Sequence, residues 1–205
     1  MLDKARVAVL VSGGGTNLQA IIDAEKSGII ESGKVVLVIS NSIDAYALER
    51  ARKNDIKTEV ILRSCYESRE AFCAALGDKL EENDIDLIVL AGFMCILTKS
   101  FSDRFKDRII NVHPSLIPSF CGEGFYGLKV HEEALKYGVK VSGATVHYVN
   151  EVPDGGKIIF QKAVEIEDGD TPEVLQRRIM EQAEWILLPK AVEKISKEIA
   201  MKRSI

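Results

Sequence analysis

Short, unbroken apolar runs alternate along the first half of the chain with segments whose apolar residues recur at helical spacing. Val7 to Val11 is one such run, followed at once by glycines, and it reads as a strand buried on both faces. Asn17 to Ser27 follows as a helix with Leu18, Ile21 and Ile22 on one side. Val35 to Ser40 is a second strand, and Asp44 to Lys53 a helix carrying Ala45, Leu48 and Ala51. Glu67 to Glu82 is a longer helix, and Leu87 to Ala91 a third buried strand. Strands that alternate with helices in this way need crossover connections and therefore a parallel sheet. The pattern predicts an α/β, Rossmann-like first half.

The second half has another rhythm. Ile109 to Asn111 is a short strand, after which Pro114 and Pro118 break the chain, and Val130 to Tyr137 is a short helix. Val141 to Val149 and Lys157 to Ile166 are extended runs joined by a segment containing Pro153-Asp154-Gly155, which is strong turn chemistry. They are predicted to pair as a hairpin on the edge of the sheet, making it mixed. Thr171 before Pro172 is an N-cap followed by a proline at the first helical position, and it opens a long final helix that Pro189 should kink or divide.

Composition narrows the function without naming it. A chain of 205 residues without repeats or linkers suits one compact unit, and 46% hydrophobic residues rule out a mainly disordered one. With 27 basic and 31 acidic side chains the formal charge is −4, which argues against nucleic acid as the main partner. No apolar run approaches the roughly 18–20 residues that span a bilayer. The opening stretch, Met1 to Val11, is too short for a secretory signal. Cys65, Cys73, Cys95 and Cys121 are scattered, so no zinc site or disulfide framework is expected and a cytosolic location is.

Three motifs stand out as candidate chemistry. Ser12-Gly-Gly-Gly-Thr16-Asn17 lies between a buried strand and a helix, where exposed amides and the helix dipole favour an anion. Leu18 stands where the dinucleotide fingerprint needs its last glycine, and no Gly-Lys-Ser/Thr follows, so the loop reads as a monophosphate cradle rather than a nucleotide clamp. Thr16 would offer its hydroxyl and Asn17 its amide; the alternative is a merely tight strand–helix turn. Asn111 and His113, two apart on a strand, point to the same face and sit near its end, an arrangement suited to acyl transfer. The alternative there is a polar turn with a hydrogen-bonded histidine. Asp154 on spacing alone reads as a turn residue bonding its own backbone. His147 reads as a satisfied core or edge residue, His131 as surface, and Trp185 as a packing anchor. The charges from Glu193 to Arg203 read as a solvated helix face.

The order Ser12-Gly-Gly-Gly-Thr-Asn17-Leu-Gln-Ala-Ile21, Leu90-Ala-Gly-Phe-Met94, Ile110-Asn-Val-His-Pro-Ser-Leu-Ile-Pro118 and Asp154-Gly-Gly156 closely resembles the folate-dependent phosphoribosylglycinamide formyltransferase family, over nearly the whole chain. The Asn-x-His-Pro-Ser-Leu segment is shared by the wider formyltransferase superfamily, while the glycine loop narrows the substrate. The resemblance implies a mixed, mostly parallel sheet with flanking helices and a long C-terminal helix. It implies one domain over 1–205, with a phosphate-binding half up to about residue 100 and a catalytic and folate half beyond.

It implies formyl transfer in de novo purine biosynthesis, from 10-formyltetrahydrofolate as co-substrate to the amine of N1-(5-phospho-D-ribosyl)glycinamide, with no metal. Asn111, His113 and Asp154 match the catalytic trio, Asp154 keeping His113 charged and helping to move a proton. Gly15, Thr16 and Asn17 match the phosphate-binding residues, and Glu184 an acidic residue near the ribonucleotide. Arg69 and Met94, Cys95, Ile96 and Leu97 match folate-contacting positions, as does Asn111. Asn150, Glu151, Val152, Pro153 and Asp154 match a loop around the pterin. Cys95 stands where some members have an arginine. The segment Ser119 to Gly127 is longer than in shorter-loop members and reads either as a lid with glycine hinges or as a surface loop.

Three rivals remain. A formyltetrahydrofolate deformylase shares the trio and uses water as acceptor, but usually carries an N-terminal regulatory domain. A methionyl-tRNA formyltransferase carries a C-terminal RNA-binding domain. A non-catalytic Rossmann-like module would use Asp44 on a ribose, against which the missing last glycine speaks.

Overall fold

The computed structural model describes residues 3–203. Met1 and Leu2, the start of the stretch weighed above as a signal segment, lie outside them. One seven-stranded sheet in the order β3-β2-β1-β4-β5-β6-β7 organises the molecule. Its strands are β1 (Ala5–Val11), β2 (Gly33–Ser40), β3 (Lys57–Val60), β4 (Leu87–Leu90), β5 (Ile109–His113), β6 (Val141–Tyr148) and β7 (Ile158–Glu165). The first five run parallel, while β6 is antiparallel to β5 and β7 to β6. The hairpin on the sheet edge is therefore present, and the sheet is mixed.

The helices are α1 (Thr16–Lys26), α2 (Tyr46–Arg52), α3 (Arg69–Glu82), α4 (Lys99–Arg104), α5 (Leu128–Tyr137), α6 (Pro172–Ile179) and α7 (Trp185–Lys202). Alternate side chains of each central strand feed opposite faces. Val7, Val9 and Val11 pack with Ile21 of α1 and with Leu188 and Val192 of α7. Ala8 and Leu10 pack with Phe72 and Leu76 of α3 and Phe101 of α4. Both faces of β1 and β4 are thus covered, which is why those strands read as unbroken apolar runs. Among the described residues no helix is long and apolar enough to cross a membrane.

Several elements differ from the sequence reading. β3 has no apolar run because it is an edge strand, paired only to β2, and its four residues are half-buried or exposed. α4 is too short to show a period; Thr98 caps it by accepting from the Phe101 amide. Pro189 does not divide the last helix, because α7 runs straight through it. The irregularity falls earlier, as a π-helical turn over Met180–Glu184. Thr171 does cap α6, accepting from the Val174 amide. Two of the charges expected to be solvated are engaged: Glu193 accepts from the Glu31 and Ser32 amides at 2.8 Å each, and Arg203 pairs with Asp86.

Candidate active site

The chain turns from one side of the sheet to the other between β1 and β4, which are neighbours although β2 and β3 lie between them in the chain. Such a switch point opens a crevice beyond the carboxyl ends of the strands, where ligands of open α/β sheets bind. The loops after β1, β4 and β5 meet there. The Met94 amide donates to Ser12 Oγ at 2.7 Å, tying the β4 loop to the glycine loop.

A cavity of about 700 Å³ opens along this edge. Met94, Cys95, Ile96 and Leu97 line it, together with Asn111, His113 and the loop Asn150–Asp154. Glycines and aromatics of the segment after Pro118, Gly122 to Gly127, form another wall, so that segment is part of the site rather than a detached surface loop. The volume lies within the roughly 300–1,000 Å³ of small-molecule sites.

The polar floor is a network of four side chains. Asn111 and His113 share one face of β5 and pair in register with His147 and Thr145 of β6. His113 Nε2 lies 2.8 Å from the Phe120 carbonyl, which can only accept, so Nε2 carries a proton. Its Nδ1 faces Asp154 Oδ2 at 3.5 Å. His147 Nδ1 donates to the Tyr148 carbonyl at 2.8 Å, leaving Nε2 to accept from Asn111 Nδ2 at 3.3 Å. That same Nε2 is 3.5 Å from Asp154 Oδ1. One hydrogen of the Asn111 amide therefore holds His147, and the other is left for the cavity.

Asp154 does not bond its own backbone as turn spacing suggested. Its φ of +55° is a left-handed conformation that aspartate tolerates, and it turns the carboxylate inward. There the Gly122 amide donates to it at 2.9 Å. Burial pushes its pKa up, but the neighbouring His147 and His113 and the Gly122 amide outweigh this and hold it below its ordinary value. For His113 the balance goes the other way: burial dominates and lowers its pKa, with Asp154 and the Phe120 carbonyl opposing. Burial and Asp154 therefore pull the imidazole in opposite directions, with burial the larger effect.

His147 is the satisfied core residue its strand position suggested, buried with both ring nitrogens partnered, but its contacts with Asn111 and Asp154 were not readable from the chain. The only signal was its place on a strand whose neighbour carries Asn111. His131 is a correction. Expected at the surface, it is fully buried on α5 with neither ring nitrogen hydrogen-bonded. Burial, with His113 adding to it, drives its pKa down to about 4. A short helix with three charged neighbours looked solvent-facing, but the packing of α5 turns Val130, His131 and Ala134 inward.

The remaining expected residues are not among those that line the cavity. Gly15, at φ +71°, begins α1, and Thr16 and Asn17 form its first turn. Asn17 Nδ2 donates to Glu184 at 2.6 Å, while the buried Oδ1 of Asn17 has no partner. Burial raises the Glu184 pKa to about 6, against the lowering effect of Asn17. Arg69 is exposed at the start of α3. It acts on Cys95 at a distance: burial raises that thiol's pKa, and Arg63 and Arg69 pull it back in part.

The chain matches the model of the formyl transferase family over residues 5–192. It is 45% identical over 177 residues to the phosphoribosylglycinamide formyltransferase of Haemophilus influenzae, covering 86% of this chain and 81% of that one. It is 44% identical to part of the trifunctional purine biosynthetic protein adenosine-3 of Bos taurus, over 94% of this chain but 18% of that protein. The chain thus spans under a fifth of the trifunctional relative. Among solved structures, glycinamide ribonucleotide transformylase 1 from Symbiobacterium toebii superposes with a TM-score of 0.89 at 43% identity, covering 95% of this chain and 89% of that one.

Proposed function

Because this chain belongs to the formyl transferase family, we propose that it is a phosphoribosylglycinamide formyltransferase, working as one unit in de novo purine biosynthesis. Its reaction moves a formyl group from 10-formyltetrahydrofolate to the amine of glycinamide ribonucleotide. The observation that carries this reading is the Asp154 carboxylate within 3.5 Å of two buried histidines, on the floor of a mostly apolar cavity.

The residues present fit both substrates. Met94, Ile96, Leu97 and Val152 offer apolar walls to a flat heterocycle, and the backbone of Asn150 to Asp154 offers donors and acceptors to its edge. Cys95 lines the cavity, and the exposed Arg69 at the start of α3 would meet the donor's glutamate. Gly15, Thr16 and Asn17 supply amides and polar side chains at a helix N-terminus for the acceptor phosphate. Glu184, hydrogen-bonded to Asn17, would accept from the ribose or the amine.

In this reading the acceptor nitrogen attacks the formyl carbon, giving a tetrahedral centre whose oxygen takes the negative charge. The free hydrogen of the Asn111 amide is the donor available to that oxygen, since the Nε2–H of His113 is held by the Phe120 carbonyl. The negative charge also favours proton uptake at His113 Nδ1, which Asp154 then stabilises. As the old carbon–nitrogen bond breaks, the proton lost by the amine reaches the departing N10, with Asp154 and His113 as carriers. No step uses a metal. Unpaired Cys65, Cys73, Cys95 and Cys121 suit a cytosolic location.

An absorbance assay for tetrahydrofolate release tests the reading. Release should require glycinamide ribonucleotide. Release without it would select deformylation, and no release under either condition would leave a binding module.

A further inference from the structure

The loop after β1 is anchored from α2 as well as from its own helix. The Ala47 amide donates to the Gly13 carbonyl at 3.0 Å, and Arg50 Nε donates to the Gly14 carbonyl at 2.8 Å. The same guanidinium donates through Nη1 to Gln19 Oε1 on α1 at 3.2 Å. It also stacks over the Tyr46 ring, 5.0 Å from the centroid. Between these anchors Gly15 has no room for a side chain, since a Cβ would meet that of Ala47 at 2.6 Å. Among the described residues no carboxylate pairs with Arg50, and its Nη2 has no acceptor.

A phosphate bound by loop amides is repelled by any carbonyl turned toward it. The Gly14 carbonyl is the group most exposed to that error, because it sits in a run of three glycines with wide backbone freedom. Arg50 commits this carbonyl to α2. A half-buried guanidinium without a counter-ion also raises the local potential for an anion.

We propose that Arg50 is a positioning residue for the acceptor phosphate, pinning the Gly14 carbonyl away from the anion and setting preference for phosphorylated over dephosphorylated acceptors. This rests on the reading of Ser12 to Asn17 as the phosphate cradle. Its fork geometry matters as well as its charge, since two acceptors on different elements are spanned at once.

Steady-state kinetics with glycinamide ribonucleotide and with its dephosphorylated ribonucleoside, on wild type, Arg50→Gln and Arg50→Lys, test it. Wild type should prefer the phosphorylated acceptor. Arg50→Gln should raise the KM for that acceptor about tenfold or more, the loss of one charge-assisted hydrogen bond. The KM values for the nucleoside and for 10-formyltetrahydrofolate should stay unchanged. Arg50→Lys, which keeps the charge but not the fork, should recover only a minor part of the loss. Wild type without any preference would refute the cradle itself. A wild-type preference that survives Arg50→Gln would overturn the role of Arg50 and leave the cradle standing, and so would a rise in all three KM values together. Should Arg50→Gln not fold, Gln19→Ala removes one anchor only; a smaller KM rise confined to the phosphorylated acceptor supports the proposal, and no rise overturns it.

Discussion

Asn17 donates a hydrogen bond of 2.6 Å to Glu184, joining the first turn of α1 to a π-helical turn 167 residues later. This contact brings two motifs that are remote in sequence to one side of the crevice. It also leaves a carboxylate buried with a single donor, which is why the Glu184 pKa rises to about 6.

Between its ordinary 4.5 and about 6, the folded state holds a proton on Glu184 that the unfolded chain has released. Stability should therefore fall as pH rises through that window, and above it the buried charge costs on the order of 2 kcal/mol. Glu184→Gln should raise the urea midpoint at pH 7.5 and remove this fall, while the KM for glycinamide ribonucleotide increases. Parallel pH–stability curves for the two proteins would count against the assignment.

Asp154 is the only carboxylate facing His113 in the described network, and it raises a pKa that burial lowers. Replacing it with asparagine should push the imidazole titration to lower pH, readable by NMR. Turnover should drop by about 10²–10⁴-fold, the usual weight of a positioned proton carrier. A pH–rate profile and kcat left as in wild type would remove Asp154 from the mechanism.

His131 titrates in the unfolded chain near 6.5 but in the folded protein near 4. The unfolded state thus takes up a proton first as pH falls, and stability should decline from pH 6.5 to 4 by up to about 3 kcal/mol. His131→Leu, which buries no unpaired nitrogen, should flatten this acid limb in thermal melts between pH 7 and 4.5. An unchanged limb would show that other groups govern it.

Thr145 holds the backbone just beyond His113. Its buried hydroxyl donates to the Ser115 carbonyl at 2.7 Å and accepts from the Ile117 amide at 3.1 Å. Thr145→Val keeps the shape but strands both backbone groups, so a loss of about 1–3 kcal/mol is expected in chemical denaturation. A variant as stable as wild type would mean that water replaces the hydroxyl.

The parallel first half was legible because β1, β2 and β4 are covered on both faces and their helices on one, so burial wrote itself into the residue pattern. β3 and α4 were not, since an edge strand and a six-residue helix bury too little to impose a period. In the site, Asn111 and His113 could be paired from strand alternation alone. Asp154 came forward through the family resemblance and not through spacing, and His147 came forward through neither.

Local order along the chain determined the elements, the glycine loop and the same-face pair on β5, because each of these depends on residues a few positions apart. Only the tertiary structure decided that His147 faces Asn111, that His131 is dry, and that Arg50 reaches Gly14. Those relations cross between elements, and the choice among them is made by which side chains the packing of helices on the sheet deprives of water.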